Sequence, residues 1–470
     1  MEEKSTIGIY GFGTIGKNLG LNILEHGYGL AVYAEDGSDD PDLSDIPHPE
    51  KLAISPSEDD FIASLEKPRK ILLPLSNTDK IDGILARLLP RLEKGDLIAD
   101  LGNSRYLQTE KRQALCAEKG VRLASVGIAG GPEGARTGPS LMVSGDSSAW
   151  EDLKPLFCAI AARTPDGGPC ADWVGPGASA DFVKVVHNAI EYADIELIAE
   201  SYLILHSSLK ASPDEIRTIY TDWNKTELNS YLIGITADIF GVRDEDGEAL
   251  VDKVVDCAEQ TGSGAWAVEA ALELEVPSPI LAAAVFARSL SARKTERVTA
   301  SALLASSGYS PSGDRHEIIE ELRRALLGAK VLAYAEGFLL LRSASKKYHW
   351  SLDLAQIARL WRSGSILSSP FLDSVAEAYT RDPSLPIILL DAHFKPILDQ
   401  TMGALRKTAA QALEGGRPLP AMAAAISFYD GYRSTWLPAN LIEAQRDRFG
   451  SHGYERVDRP RGEKFHSSWN

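Results

Sequence analysis

Ile7-Gly-Ile-Tyr10, followed by Gly11-Phe12-Gly13-Thr14-Ile15-Gly16, decides the architecture of the first part of this chain. The first four residues have the apolar, partly β-branched character of a buried strand, and Lys17-Asn-Leu-Gly-Leu-Asn-Ile-Leu24 continues with helical spacing. Strand, glycine loop and helix in that order open a βαβ unit. In such a unit the first glycine permits the tight turn, the second lets a pyrophosphate approach the backbone, and the third lets the helix pack closely. Gly11, Phe12, Gly13, Thr14, Ile15 and Gly16 are therefore assigned to a dinucleotide, whose phosphates meet the free N–H groups at the helix start.

Working outward, Leu30-Ala-Val-Tyr33, Lys70-Ile-Leu-Leu73, Asp96-Leu-Ile-Ala99 and Arg122-Leu-Ala-Ser125 are further strand candidates separated by amphipathic segments. Alternation of this kind predicts a doubly wound, mostly parallel α/β sheet. The second strand runs into Glu35 and Asp36, where a carboxylate can accept hydrogen bonds from the adenosine ribose and repel a 2′-phosphate. That favours NAD as cofactor, with NADP as the alternative. A merely solvated acidic loop, continuing through Asp39 and Asp40, is the other reading of the same residues.

Pro165-Asp-Gly-Gly-Pro169 and Gly175-Pro-Gly177 punctuate the chain and close a Rossmann-type unit at 1–177. Residues 178–436, rich in Ala, Leu, Glu and Ile with a 3.6-residue period, predict a large all-α unit. This unit has the look of a duplication: Ala199-Glu-Ser-Tyr-Leu-Ile-Leu205 returns as Ala335-Glu-Gly-Phe-Leu-Leu-Leu341, and each copy leads to a Trp, Trp223 and Trp361. Residues 437–470 form a polar, Arg-rich tail, expected to be mobile unless docked.

With 470 residues the chain supports two or three cores. Its 66 acidic against 49 basic residues, net −17, argue against a nucleic-acid or anionic-membrane surface. Cys116, Cys158, Cys170 and Cys257 lie far apart without a CxxC pair, which fits structural thiols in a reducing, cytoplasmic setting and no metal site. No secretory layout opens the chain, and its most apolar run, Ile280 to Ala287, is far shorter than the roughly 20 residues of a spanning helix.

The chemistry is expected on Asp181-Phe-Val-Lys184-Val-Val-His187-Asn188-Ala-Ile-Glu191-Tyr192. Lys184, His187, Asn188, Glu191 and Tyr192 recur at helical spacing and share one face, while Val185, Val186, Ala189 and Ile190 line the flanks. Lys184 and Glu191 would stand roughly 10 Å apart along the axis, a spacing that lets a base and an acid address different atoms of one small substrate. An ordinary solvated helix face with a satisfied histidine fits the spacing equally well.

This helix resembles the signature helix of the 6-phosphogluconate dehydrogenases. The resemblance continues in order through Asp100-Leu-Gly-Asn-Ser104, Ala129-Gly-Gly-Pro-Glu-Gly-Ala135, Gly138-Pro-Ser-Leu-Met142, Ala284-Val-Phe-Ala-Arg288 and Leu437-Pro-Ala-Asn-Leu-Ile-Glu-Ala-Gln-Arg-Asp447 with His452. It implies that Lys184 takes the proton from the C3 hydroxyl of a sugar acid, and that Glu191 supplies the acid that protonates C1 of the enediol left by loss of CO₂, without a metal. It further implies that Asn103, Ala129, Gly130, Gly131, His187 and Asn188 hold the carboxylate and hydroxyls. Leu75, Ser76 and Asn103 would lie near the nicotinamide. Tyr192, Thr261, Ser263, Arg288, Arg446 and His452 would hold the terminal anion, the last two reaching the neighbouring subunit of a homodimer with shared sites.

Departures from the family pattern fall on functional positions. The family's Asn-Arg-Thr triplet, which holds the 2′-phosphate of NADP, reads Ala34-Glu35-Asp36, and the Val-Lys-Ala turn reads Leu75-Ser76-Asn77. A serine of the family is Ala129. The substrate-phosphate segment Lys-Gly-Thr-Gly-Lys-Trp reads Thr261-Gly-Ser263-Gly-Ala265-Trp266, one cation fewer. The expectation is an NAD-preferring oxidative decarboxylase of 6-phosphogluconate or of 6-deoxy-6-sulfogluconate, whose monoanionic tail needs less charge. A β-hydroxyacid dehydrogenase that stops at the keto acid, and a silent metabolite-binding homologue, are the competing readings.

Overall fold

The computed structural model describes residues 4–34, 46–75, 78–260, 262–304 and 313–469. Among these residues eight strands, β1 (Ile7–Tyr10), β2 (Leu30–Tyr33), β3 (Leu52–Ile54), β4 (Lys70–Leu73), β5 (Leu97–Asp100), β6 (Arg122–Ala129), β7 (Ser140–Ser144) and β8 (Ala171–Gly175), form one sheet ordered β3-β2-β1-β4-β5-β6-β7-β8. All neighbours are parallel except β6 and β7. Helices cover both faces, so the central strands are buried on each side and read as continuous apolar runs. The strand order reverses between β1 and β4, which opens a crevice at their C-terminal ends.

One boundary is corrected here. The strand expected at Asp96 begins one residue later, because Asp96 is used as a buried tie: its Oδ1 accepts from the Arg69 N–H at 2.7 Å and its Oδ2 from Arg69 Nη1 at 2.8 Å. The tail after 437 holds a helix, Ala439–Gly450, and an antiparallel bridge between Tyr454 and Phe465. Buried Asp447 holds it together by accepting from Gly453 N–H, His466 Nδ1, Ser467 N–H and Trp469 Nε1.

Beyond the sheet the chain is helical. Its frame is a pair of long helices, Ser179–Leu203 and Arg315–Tyr348, hereafter the first and second long helix, which pack against each other in the main core. The first continues into a π turn, Ile204–Ser208, where the second stays α-helical. The expected duplication extends to tertiary contacts. Glu336 of the second long helix accepts from the N–H groups of Ile280 and Leu281, in the first turn of the helix Pro279–Ser291. Glu200 of the first accepts from Ala421 and Met422, in the first turn of Pro420–Arg433. Those capped turns read Pro279-Ile-Leu-Ala-Ala-Ala284 and Pro420-Ala-Met-Ala-Ala-Ala425, so each copy's glutamate satisfies the orphan donors of the other copy's helix. Among the described residues no helix is long and apolar enough to cross a membrane.

Candidate active site

The glycine loop sits at the β1 end of the crevice, and its three glycines differ in what they accommodate. Gly11 has φ +100°, and a Cβ there would stand 2.6 Å from Leu75 Cδ2; one on Gly16 would collide with the Gly11 carbonyl. Around Gly13 the space is open, and as N-cap of the helix Thr14–Glu25 it offers no side-chain acceptor. The first-turn N–H groups are thus left to a ligand, and a dinucleotide pyrophosphate fits. Phe12 buries its side chain in the core, Ile15 packs on the same core, and Thr14 is exposed. Leu75 borders Gly11, whereas Glu35, Asp36 and Ser76 lie outside the described residues. Asn103 is exposed in the loop after β5, whose neighbour Gly102 abuts the Leu75 carbonyl and Thr78.

The first long helix packs onto β6 at Gly127, where an added Cβ would meet Lys184 Cβ at 3.0 Å. Glycine at that point lets the helix lie on the sheet, which places Lys184 beside the strand that ends in Ala129. Gly130, at φ +104°, then caps the short helix Gly131–Thr137, close against the Gly364 carbonyl.

The stripe does not face bulk water: Lys184 is 9% exposed and the Glu191 side chain 22%. Burial lowers the Lys184 ammonium to about 8, against the opposing pull of Glu191. Burial likewise raises Glu191, opposed by Lys184 and Arg288 and assisted by Asp194. Desolvation and then Lys184 hold His187 well below its usual range, so it is neutral. The Asn188 amide donates to Ser263 Oγ at 3.1 Å, which leaves its Oδ1 to accept from His187 Nδ1 at 3.2 Å. That network makes Nε2 the bare nitrogen, and it has no partner among the described residues. The ring is steadied edge-on by Trp361 at 5.3 Å. A base near neutrality, a carboxyl inclined to keep its proton and an open imidazole lone pair are what proton transfer at a polyol requires.

At the far end of the stripe the Arg288 guanidinium lies 3.4 Å over the Tyr192 ring, and Ser263 starts the helix Ser263–Glu273 beside them. The structure therefore brings together Lys184, His187, Asn188, Glu191, Tyr192, Ser263 and Arg288. It does not bring Arg446 or His452 to them: Arg446 pairs with Glu443, and the His452 ring meets Phe449, both within the tail. Thr261 lies outside the described residues. Two cavities of about 950 and 470 Å³ lie elsewhere, around Arg359.

Sequence reasoning missed two groups. Asp194 lies on the same helical period, three residues past Glu191, and pairs with Lys330 of the second long helix. Asp181, raised to about 8 by burial and by Asp100, accepts from Ser125 Oγ at 2.5 Å. Asp100 in turn holds Ser104 and the Gly102 N–H, so this cluster fastens the Asn103 loop next to the start of the first long helix. The period could have found Asp194; the Asp181 cluster depends on strand packing that no local pattern reveals.

Comparison with known proteins finds one family along nearly the whole chain. Residues 6–175 match the NAD binding domain of 6-phosphogluconate dehydrogenase, and residues 180–469 match the C-terminal domain of the same family. A 6-phosphogluconate dehydrogenase, decarboxylating, from Aggregatibacter actinomycetemcomitans is 45% identical over 470 residues, covering 100% of this chain and 97% of that one. The NADP(+)-dependent, decarboxylating enzyme of Bacillus subtilis is 44% identical over 469 residues, 99% of each chain. Among solved structures, the 6-phosphogluconate dehydrogenase of Plasmodium falciparum, studied apo, with NADP+ and with 6-phosphogluconate, superposes with a TM-score of 0.92 at 34% identity, covering 99% of this chain and 100% of that one. The chain belongs to the 6-phosphogluconate dehydrogenase family.

Proposed function

We propose that this protein oxidises and decarboxylates 6-phosphogluconate, releasing CO₂ and a ketopentose phosphate. The carrying observation is the buried stripe on which Lys184 is depressed and Glu191 raised by the same desolvation. Neutral Lys184 takes the proton from the C3 hydroxyl; a dinucleotide held on the glycine loop would supply the hydride acceptor that this oxidation needs. The β-keto acid then loses CO₂ as its carbonyl takes the electron pair, and Glu191 delivers a proton to C1 of the enediol. His187 Nε2 accepts from a substrate hydroxyl, Asn188 orients it, and Arg288 with Tyr192 and Ser263 receives the anionic tail. The division at 177 and 436 belongs to the same reading.

The tail helix turns Leu441, Ile442 and Phe449 to solvent, with Trp436 and Val457 beside it, and Phe286, Leu290, Leu303 and Leu304 are also exposed. Monomers rarely leave so much apolar surface uncovered. This supports a homodimer in which Arg446 and His452 of one tail complete the neighbour's site.

NAD preference rests on Glu35 and Asp36 replacing a 2′-phosphate clamp, although the relatives named above include NADP+ enzymes. The second substrate reading, 6-deoxy-6-sulfogluconate, is favoured by Ala265, which supplies no cation in the first turn of the Ser263 helix. A lost charge-assisted bond of about 1.5 to 3 kcal/mol weakens a dianion more than a monoanion. Steady-state rates for both acids with NAD and NADP, with CO₂ captured, test all three points. Equal rates without CO₂ would leave a plain dehydrogenase, and stronger turnover with NADP would remove the role given to Glu35.

A further inference from the structure

Asp194 is 1% exposed, and its Oδ1 lies 2.9 Å from the Nζ of Lys330, itself 7% exposed. Beyond that contact neither carboxylate oxygen nor the ammonium has a hydrogen-bond partner among the described residues. Removing two charges from water is costly, and their attraction offsets this only when the remaining valences are satisfied. The pair is therefore a poor stabilising device, and its place in the fold indicates another role. The shift in numbering that carries Glu200 onto Glu336 also carries Asp194 onto Lys330. The partners thus occupy equivalent positions in the two copies, with the negative end on the helix that bears Glu191.

Resting on the reading of Glu191 as proton donor, we propose that Asp194, held in place by Lys330, is a positioning residue that keeps Glu191 in its proton-bearing form. Side chains three apart on a helix are neighbours, so the Asp194 charge stands one turn from Glu191. Lys184 and His187, the latter 3.9 Å away, face Glu191 from its own helix, and Arg288 faces it from Pro279–Ser291. Tyr334 and Lys330 come from the second long helix, and Ser263 is the neutral group contributed by the Ser263–Glu273 helix. Glu200 is taken up further along by Pro420–Arg433. Lys184 and Arg288 both favour loss of the proton, and among the charged groups acting on Glu191 Asp194 is the one that opposes them.

The equivalence of the two positions supplies the test. The exchange variant Asp194→Lys/Lys330→Asp keeps the pair and its combined side-chain length but turns the positive end towards Glu191. The expected result is a melting temperature within a few degrees of wild type and KM within about twofold. Loss of kcat with rising pH, the alkaline limb of the kcat–pH profile, sets in about one unit lower, a fall of up to about tenfold wherever Glu191 is already largely ionised. The sign follows from the need for a protonated Glu191: a lower pKa loses the acid sooner as pH rises. A purely structural clamp predicts an unmoved limb in the exchange variant, and that result overturns the proposal. If the exchange variant does not fold, Asp194→Asn/Lys330→Met removes both charges at similar volume and should move the limb down by about half a unit; an unmoved limb there overturns the proposal equally. Glu191→Gln is the control. Disappearance of the limb in it upholds the reading of Glu191, and a limb that survives overturns that reading and the proposal with it.

Discussion

The two long helices are copies of one scaffold put to different uses. The numbering shift that superposes Glu200 on Glu336 places Lys184, His187, Asn188 and Glu191 of the first over Glu320, Arg323, Arg324 and Leu327 of the second. In the first helix these positions are desolvated, Lys184 lies against β6, and the proton affinities of Lys184 and Glu191 shift towards neutrality. In the second, Arg323 forms ion pairs with Glu320 and Glu227, and Glu320 is held below the usual carboxylate range by Arg323. The cross-capping glutamates are kept in both copies, so the scaffold persisted while the chemistry diverged. The neighbour decides which face is desolvated: β6, inside the sheet, covers Lys184 in one copy, and solvent reaches the matching positions of the other.

The largest expected effect lies in that divergence. Lys184→Met and Glu191→Gln should each lower kcat by about 10² to 10⁴-fold, the range of a lost proton-transfer group, with melting temperatures near wild type. Glu320→Gln, at the matching position of the other copy, should stay within about twofold. Steady-state assays beside thermal melts check this, and comparable losses in the two helices would dissolve the contrast. The shared part of the scaffold gives the next largest effect. Glu200→Ala and Glu336→Ala each orphan two buried N–H donors, at a cost of about 3 kcal/mol in urea unfolding, and equal geometry predicts equal losses.

How much of this was legible in the sequence follows from where the signal was local. β1, β2 and β4 are buried apolar runs beside a glycine loop, so the parallel sheet could be read directly. β3 has three residues at the sheet edge, β7 (Ser-Leu-Met-Val-Ser) is bracketed by hydroxyls, and β8 carries Asp172 and Trp173; their strand character comes from pairing partners rather than local pattern. In the site, Lys184 through Tyr192 are visible because one helical period joins them, and Arg288 and Ser263 were reached only through resemblance. Lys330 and the Asp447 lock of the tail depend on tertiary contacts across long stretches of chain, which periodicity does not encode.

The smallest effect is on the pH dependence of stability, where the two caps should again behave alike. Both glutamates accept from backbone N–H groups, which favours the anion, yet burial outweighs this and raises Glu200 to about 8 and Glu336 in the same direction. A carboxyl whose folded pKa lies above its unfolded value binds more protons when folded. Its contribution is complete below about pH 4.5 and is lost as pH rises through about 8. The melting temperature should therefore decline by several degrees between pH 6 and pH 8.5, the reverse of what surface carboxylates paired with arginine produce at acid pH. Glu200→Gln and Glu336→Gln, which cannot ionise, should each flatten part of that decline by a similar amount. If only one of them does so, the two caps differ in solvation despite their matching bonds, and the equivalence of the copies ends at the backbone.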